Sequence, residues 1–404
     1  MKKTFLFGVI GAILLCGCAK KQATTEQTTK ELTIMEQMPT EQAKLCDLAQ
    51  KYGFKVGACI SFNQVNQVSY INLLKGNFNT TTATNEFKAY SLLNQSKSIE
   101  AGLPVMNYAQ ADSIAKLAQE NGIGIRGHVL VWDAYMNEWF FREGFKSNGL
   151  PVSKEVMEER LEYYIDQVVT HFETEFPGVV YCWDVVNEAV ADGANEWIEG
   201  NEFHLRKTRG GSVNLFNEIM GPDYVKFAFQ CARKTVNRVN PDIKLFYNDY
   251  NTFYPDKRDA IVRLINYLNS EEKLCDGLGM QGYIGGYGQQ AGCMNAGDLS
   301  LIKTAIKTYS DLGLEVQLTE VAVRNYEKAQ SEKHAKFYGD LFRTVISACQ
   351  EGANFTGFTI WGIADNPTMP QNHYNYKMNG PYCGLFDQYY IPKDAFKEVY
   401  KALE

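Results

Sequence analysis

Residues 179–188 read VVYCWDVVNE, and this stretch decides the fold. Its first eight residues are rich in β-branched and aromatic side chains and follow Pro177-Gly178, which is typical of a buried strand. The strand then ends in two polar residues, Asn187 and Glu188. Other short apolar stretches have the same character, and longer amphipathic segments separate them. The pattern therefore indicates a repeated unit of one strand and one helix.

Eight strands are predicted in all, and helices alternate with them. The seven besides 179–186 are at 55–61, 78–83, 124–132, 243–249, 277–283, 315–321 and 355–362. Helical periodicity is clearest at 107–121, 153–173, 222–238 and 331–349. Eight strand–helix units predict an α/β protein with a single closed (β/α)8 barrel, a TIM barrel. An open doubly wound sheet would need a nucleotide-binding fingerprint after the first strand, and the sequence has none there.

The loops after the third, fourth, sixth and eighth predicted strands are long. They lie at about 133–152, 190–221, 284–298 and 364–391. In TIM barrels the loops that follow the strands carry the active site. We therefore expect the functional site at that end of the barrel.

The first 38 residues have the pattern of an export signal and a tether. In residues 1–18 two lysines precede an apolar run that is too short to span a bilayer, and Cys16-Gly17-Cys18 follows. The end of this segment resembles a lipoprotein cleavage motif in which Cys18 is lipidated, although ordinary signal-peptide cleavage stays open. Residues 19–38 are rich in Thr, Gln, Lys and Glu and predict a flexible tether. We expect one folded domain at 39–404, exported as a monomer and either secreted or anchored to a bacterial membrane through Cys18 alone.

Composition excludes several classes of function. The net charge of −7 and the lack of a basic stripe argue against a nucleic-acid partner. The five histidines show no metal-ligand spacing, so we expect no metal and no other cofactor. Eight cysteines lie beyond residue 18 without CxxC spacing; buried thiols such as Cys59 and Cys182 are the expectation, and a disulfide stays open.

Two glutamates stand where chemistry is expected in a barrel. Glu188 ends the fourth predicted strand and Glu320 ends the seventh. A lone glutamate at a strand end is more often a cap or a surface ion pair. Two at one rim match retaining glycosidases, in which a protonated and an ionised carboxyl lie about 5–5.5 Å apart.

The chain resembles glycoside hydrolase family 10, the endo-β-1,4-xylanase family, from about residue 40 to its end. The motifs that carry the resemblance are GHVLVW (127–132), WDVVNEA (183–189), YNDYN (247–251), GMQ (279–281), LTE (318–320), WGIAD (361–365) and FDQYYIPKDAF (386–396). Seven matches in the family's order are far more specific than any single motif.

The resemblance implies that Glu188 is the catalytic acid/base and Glu320 the nucleophile. It implies that further residues bind substrate: Asn85, Lys88, His128 and Trp132 on the non-reducing side, Asn187 at the sugar 2-hydroxyl, Gln281 beside the nucleophile, Tyr250 on the leaving-group side and Trp361 under the sugar. Some of these residues could instead have structural roles without binding substrate. His128 could be a satisfied rim histidine, Trp361 a core residue and Lys88 a solvated charge, and Asp184 is best interpreted as a structural carboxylate.

The sequence also departs from the family pattern. Tyr283 and Ala322 replace the His and Asp that together orient the nucleophile in the family. Because both are replaced, we hypothesise that Tyr283 donates its phenolic hydrogen directly to Glu320, and we count it among the site residues. Three more replacements thin the binding groove: Thr84 for Glu, Asp133 for a second His and Met369 for a second Trp.

The resemblance predicts a retaining, endo-acting β-1,4-glycanase whose partner is a polysaccharide, most simply xylan. The competing hypothesis is a surface lipoprotein that binds glycan without cleaving it, and the altered support of Glu320 motivates it. A metal-dependent barrel hydrolase is a weak third possibility. The aromatic segments at 135–145 and 372–382 either rebuild the groove or pack the loops onto the barrel.

Overall fold

The structure is a computed structural model that describes residues 43–285 and 294–404. The predicted signal segment, the tether with Cys18, most of the loop at 284–298 and Cys293 lie outside these ranges. Their interpretation therefore stays a prediction. Within the described ranges, no helix combines the length and the apolar character needed to cross a bilayer.

The described chain contains ten strands, eight of which form a closed barrel. The strands are β1 Lys55–Ile60, β2 Thr80–Ala83, β3 Gly124–Gly127, β4 Val180–Asn187, β5 Thr208–Arg209, β6 Ser212–Val213, β7 Lys244–Asp249, β8 Gly277–Ile284, β9 Glu315–Val323 and β10 Phe355–Ile360. The barrel order is β1-β10-β9-β8-β7-β4-β3-β2, and β2 pairs with β1 to close it. All barrel pairs are parallel, whereas β5 and β6 form a small antiparallel hairpin. The predicted (β/α)8 barrel is confirmed.

Helices connect the barrel strands. The α-helices are α1 Leu45–Gln50, α2 Val68–Asn77, α3 Ala89–Leu92, α4 Gln95–Ala101, α5 Ala109–Glu120, α6 Lys154–Glu175, α7 Leu215–Met220, α8 Tyr224–Val239, α9 Pro255–Leu268, α10 Ala296–Ser310, α11 Ser331–Gln350, α12 Tyr374–Asn379 and α13 Asp394–Leu403. Short 3-10 turns lie at Phe62–Gln64, Asp133–Tyr135, Glu138–Phe141, Glu143–Phe145, Ala194–Glu196 and Lys328–Gln330.

Helix α6 shows why the periodic segments pack as they do. The Ser153 hydroxyl accepts a hydrogen bond from the amide of Val156 at 3.4 Å and caps the helix. Its apolar stripe is buried against the barrel: Met157, Leu161, Tyr164, Ile165, Val168, Val169 and Phe172. Val156, which the sequence pattern placed in this stripe, is instead 38% exposed. It lies in the first turn of the helix.

The third strand is shorter than the sequence predicts. It ends at Gly127 instead of continuing through residue 132. The backbone leaves the ladder after Gly127, and it rejoins β4 through a bridge between Val131 and Val186. The polar residues of this segment therefore lie on the barrel rim and not within the sheet.

The barrel interior holds a buried cation because one strand residue lacks a side chain. A Cβ atom on Gly279 would lie 2.5 Å from Nη2 of Arg126 and 2.1 Å from Oδ1 of Asn248. Arg126 is 1% exposed and fills this space. The floor of the site is therefore polar and tightly packed.

Candidate active site

Both candidate glutamates lie at the carboxyl ends of barrel strands, with the same unusual backbone. Glu188 follows β4 with φ at 55°, and Glu320 lies in β9 with φ at 54°. Each is 7% exposed. Non-glycine residues seldom adopt a left-handed conformation, and such residues cluster at functional sites.

A bulge in β9 directs Glu320 toward the barrel mouth. Along the β8–β9 ladder, Glu320 and Val321 together face the single residue Gly282. A Cβ atom on Gly282 would lie 2.7 Å from Cγ2 of Val321, so the close approach of the strands requires glycine there. Bulges of this kind re-aim side chains next to active sites.

The carboxylate of Glu320 is held by side chains from neighbouring strands. Tyr283 donates its hydroxyl to Oε2 at 2.7 Å, and Asn248 donates to Oε1 at 3.3 Å. Nε2 of His128 lies 3.8 Å from Oε1. Burial raises the pKa of Glu320 above its ordinary value, although His128, the Tyr283 hydrogen bond and Lys88 oppose that shift.

The contact hypothesised between Tyr283 and Glu320 is present in the structure. Burial and the neighbouring Glu320 charge raise the pKa of Tyr283 well above its usual value, so the phenol keeps its proton and acts as a donor. Ala322 is fully buried. A single donor thus occupies the position that two residues share in the family pattern.

The carboxylate of Glu188 is held differently. Gln281 donates Nε2 to Oε1 at 3.0 Å, and Arg209 donates Nη1 to Oε2 at 2.7 Å. Arg209 also binds both carboxylate oxygens of Asp133, at 3.0 and 2.7 Å. Sequence reasoning missed Arg209. The signal that could have found it is Asp133, because a carboxylate placed beside the site in place of a histidine requires a basic partner.

A chain of amides joins the two catalytic candidates. Oδ1 of Asn187 accepts from Gln281 at 3.2 Å and from Asn248 at 2.9 Å. These bonds fix the amide, so its Nδ2 donor is the free end. That nitrogen is buried and has no hydrogen-bond partner among the described residues. A buried donor beside two carboxylates is suited to a hydroxyl group of a ligand.

His128 connects the rim to the barrel interior. Its Nδ1 lies 2.8 Å from Oδ2 of Asp184, which also pairs with Arg126. Burial alone would raise the pKa of Asp184, but Arg126 and His128 outweigh it and the pKa is lowered. Asp184 is thus the structural carboxylate that the sequence suggested. His128 is satisfied on one nitrogen and faces Glu320 with the other.

Lys88 and Trp132 lie together at one side of the mouth. Lys88 is 6% exposed, so its interpretation as a solvated charge is wrong. Its Nζ donates to Oδ1 of Asn85 at 3.2 Å and lies 5.1 Å from the ring centroid of Trp132 and 4.4 Å from that of Tyr135. Burial lowers the pKa of Lys88, and the charges of the two glutamates oppose this. The Lys88 ammonium therefore interacts electrostatically with the carboxylates of both Glu188 and Glu320.

Trp361 and Tyr250 are the remaining predicted site residues. Trp361 is half-buried and packs edge-on against His128 at a centroid distance of 6.4 Å, so it is not a core residue. Tyr250 lies away from this pair, under the loop after β4. Its hydroxyl accepts from Arg206 at 3.0 Å, and Nζ of Lys257 lies 3.6 Å from its ring centroid.

Some aromatic residues of the loop at 135–145 pack onto the barrel, and one lies at the groove, so each of the two interpretations holds for part of the loop. Tyr135 is partly exposed and packs against Trp132 at a centroid distance of 4.3 Å, with the two rings tilted by 38°. The other aromatic side chains are buried: Trp139, Phe140, Phe141 and Phe145. Most of the loop therefore packs onto the barrel, and one ring adjoins the mouth. In the second loop, Tyr374 is 67% exposed.

The chain matches the family model described as glycosyl hydrolase family 10 over residues 44–402. The chain belongs to glycosyl hydrolase family 10. The resemblance carried by the seven motifs is confirmed, and so is the barrel that it implied.

Individual family 10 proteins agree with this assignment. The chain is 35% identical to endo-1,4-beta-xylanase A of Thermotoga maritima over 354 residues, covering 84% of this chain and 29% of that protein. It is 32% identical to endo-1,4-beta-xylanase B of Butyrivibrio fibrisolvens over 357 residues, covering 86% and 52%. Its fold matches the CBM22-1-GH10 modules of Clostridium thermocellum xylanase 10B, solved with xylohexaose, with a TM-score of 0.77, 30% identity and coverage of 90% and 68%. The chain thus spans at most about half the length of these two sequence relatives.

Within residues 43–285 and 294–404, no group of three or more His, Cys, Asp or Glu side chains could hold a metal ion. His334 is buried in α11 and contacts a backbone oxygen of Val323 at 3.1 Å. His171 pairs with Asp112 at 2.8 Å. These histidines have structural partners away from the site.

Proposed function

We propose that this chain hydrolyses internal β-1,4 linkages of xylan with retention of configuration, with Glu320 as nucleophile and Glu188 as acid/base. The observation that carries the proposal is the pair of rim glutamates, matched in backbone and burial but different in partners. Glu320 is surrounded by neutral donors and a histidine, whereas Glu188 is paired with a cation. The family motifs assign which carboxylate takes which role, and the hydrogen bonds that Tyr283 and Asn248 donate to Glu320 favour the ionised form that a nucleophile needs.

In the first step the Glu320 carboxylate attacks the anomeric carbon and the glycosidic carbon–oxygen bond breaks. The proton of Glu188 passes to the departing oxygen, which leaves as the hydroxyl of the shortened glycan. In the second step water attacks the same carbon and the ester bond to Glu320 breaks. The proton of that water goes to Glu188, so the enzyme returns to its starting state.

Asn187 is expected to strengthen the transition state. Its Nδ2 donor is buried, oriented by two hydrogen bonds to Oδ1, and free for the sugar 2-hydroxyl. Gln281 holds Glu188, and Lys88, His128, Trp132 and Asn85 are expected to bind the sugar on the non-reducing side, with Trp361 under the sugar. The relatives named above are xylanases by their names, which makes xylan the substrate to test first.

Azide rescue tests the two roles separately. With 2,4-dinitrophenyl β-xylobioside and azide, Glu320→Gly should yield an α-glycosyl azide, because azide attacks from the side that the nucleophile vacates. Glu188→Gly should yield the β-azide, because azide then attacks the covalent intermediate. Glu199→Gln, an exposed change in the same loop, is the matched control and should keep wild-type hydrolysis. The same azide anomer from both glycine variants would overturn the assignment.

Product analysis sets the substrate class. Xylan, glucan and arabinoxylan are incubated with the residue 39–404 body, and new reducing ends are measured alongside product length. A ladder of short xylo-oligosaccharides from xylan is the expected result. Tight binding to xylan without new reducing ends would favour the non-catalytic alternative.

We also propose that the chain is exported and held at a membrane through lipidated Cys18, with residues 19–38 as a tether. The signal pattern in the sequence supports this, and the segment lies outside the described residues. Cys18→Ala should move the protein from the membrane fraction to the soluble fraction of expressing cells. Unchanged fractionation would contradict the anchor.

A further inference from the structure

Arg209 stands out because it contacts a catalytic candidate and lies on an element with no role in closing the barrel. It belongs to β5, one strand of the two-stranded hairpin in the long loop after β4. Gly210 and Gly211 form the turn, with φ at 54° and 87°. Two consecutive left-handed residues are the geometry of a tight hairpin turn that glycine favours. The turn directs Arg209 back over the barrel mouth.

This hairpin is fixed to the rest of the loop at its turn and at Arg206, just before its first strand. Glu196 accepts a hydrogen bond from the amide of Gly210 at 2.9 Å and also pairs with Arg206. Arg206 is 1% exposed and donates Nε to the backbone oxygen of Glu188 at 3.2 Å. The hairpin is therefore tied to Glu188 through Arg206 as well as through Arg209.

The Arg209 guanidinium joins two loops across Glu188. It makes a two-point contact with Asp133 from the loop after β3, and Asp133 is 6% exposed at its side chain. It donates Nη1 to the Glu188 carboxylate at 2.7 Å and Nη2 to the Glu188 backbone oxygen at 3.3 Å. A planar guanidinium held at two points has little freedom to rotate. The Glu188 carboxyl is thus fixed by Gln281 on one oxygen and by Arg209 on the other.

We propose that Arg209, anchored by Asp133, is a positioning residue that holds the Glu188 carboxyl in line for proton transfer to and from the glycosidic oxygen. The inference rests on the proposed function. Proton transfer depends steeply on geometry, because a misplacement of about 1 Å can lower a rate by about 10²-fold. Within the described residues, the hydrogen bonds and ion pairs of Arg209 go to Glu188 and Asp133 and not to Glu320.

This role makes a prediction that a merely structural role does not. Xylo-oligosaccharides have poor leaving groups and need the proton of Glu188 in the first step. 2,4-Dinitrophenyl β-xylobioside has a good leaving group and does not need it. Loss of positioning should therefore lower kcat/KM for the first substrate and spare kcat/KM for the second. For the second substrate, kcat and KM should fall together, because the slower second step lets the intermediate accumulate.

Arg209→Met tests the proposal, since methionine fills similar space without donors. We expect kcat/KM on xylohexaose to fall by about 10- to 100-fold, while kcat/KM on the dinitrophenyl substrate stays within about 2-fold of wild type. Arg209→Lys should recover part of the loss, because a lysine keeps the charge and reaches one carboxylate. Lys207→Met, an exposed cation on the same loop, is the control and should match wild type on both substrates.

Asp133→Asn provides a second route if Arg209→Met fails to fold. It leaves Arg209 in place and removes the charge that anchors it. The loss of kcat/KM should therefore again be larger on xylohexaose than on the dinitrophenyl substrate, but smaller than in Arg209→Met. Equal loss of kcat/KM on both substrates, or no loss on either, would overturn the positioning role while leaving the proposed function intact. A wild-type chain inactive on both substrates would overturn the proposed function and this inference with it.

Discussion

The two catalytic candidates are supported by different parts of the molecule. Glu320 is held by Tyr283 on the adjacent barrel strand β8 and by Asn248 on β7, the strand beyond it. Glu188 ends a strand as well, but one of its oxygens is held by Arg209 from a hairpin outside the barrel. The proposed nucleophile is thus built into the sheet, and the proposed acid/base depends in part on a loop. The difference teaches that one site can combine a carboxylate held by the rigid sheet with another whose surroundings can change with the sequence of a loop.

The largest expected effect tests whether the side chains on the barrel strands contribute more to folding stability than those on the loops. Asp184→Asn would leave the Arg126 charge buried without its partner, and we expect unfolding stability to fall by about 3–5 kcal/mol. Asp133→Asn, on the loop-held half, should lower it by less than about 2 kcal/mol, because Arg209 retains Glu188 and partial access to water. Urea denaturation of both variants measures the difference. Similar losses in the two would show that the loop is as integral to the fold as the sheet.

A smaller effect should appear in the pH dependence of the strand-held half. The Glu320 carboxyl must be ionised to attack, and its pKa is already raised by burial. The Tyr283 hydrogen bond stabilises the ionised form, so Tyr283→Phe should raise that pKa further. The acid limb of kcat/KM should then move to higher pH, with a loss of about 10-fold on the acid side and less at alkaline pH.

The measurement is a pH profile of kcat/KM on a soluble xylo-oligosaccharide, with Tyr374→Phe as a control that removes an exposed phenol near the same site. Unchanged turnover and an unchanged acid limb in Tyr283→Phe would remove the role assigned to this hydroxyl. Only the support of Glu188 by Arg209 would then remain of the two kinds of support compared above.

The last expected effect concerns motion in the absence of substrate and does not involve activity. Amides of the hairpin Thr208–Val213 should exchange hydrogen at least about 100-fold faster than those in the middle of β9. The hairpin has only two short strands at the surface, whereas β9 is buried and paired on both sides. Mass-spectrometric exchange on the apo protein measures this. Equal protection of the two segments would mean that the acid/base is held as rigidly as the nucleophile.

Sequence alone predicted most of the fold and one half of the site. Alternation of apolar and amphipathic segments is enough to predict a barrel, because only a few arrangements cover eight parallel strands. The contact between Tyr283 and Glu320 was also accessible, since the two residues follow neighbouring strands and the usual pair is replaced at both positions. The pairing register of the strands fixes the positions of their residues relative to one another.

Arg209 could not be placed in the same way. It lies in a loop of about thirty residues whose only local signal is Arg209-Gly210-Gly211, and no register connects that loop to Glu188. The aromatic loop at 135–145 posed the same difficulty: Trp139 and Phe140 are buried, whereas Tyr135 reaches the mouth. Composition alone does not separate packing from binding in such segments.

The left-handed backbone at Glu320 has a consequence for synthesis. Glycine adopts a φ near 54° without the penalty that a side chain brings, which is on the order of 1–2 kcal/mol. Replacing Glu320, the proposed nucleophile, with glycine would therefore relax the chain at the point where it removes the carboxylate. The vacated space would accept an activated glycosyl fluoride of inverted configuration, and Glu188 would serve as the base for an incoming acceptor sugar. The hydrolytic barrel would then become a scaffold for building β-1,4-linked chains.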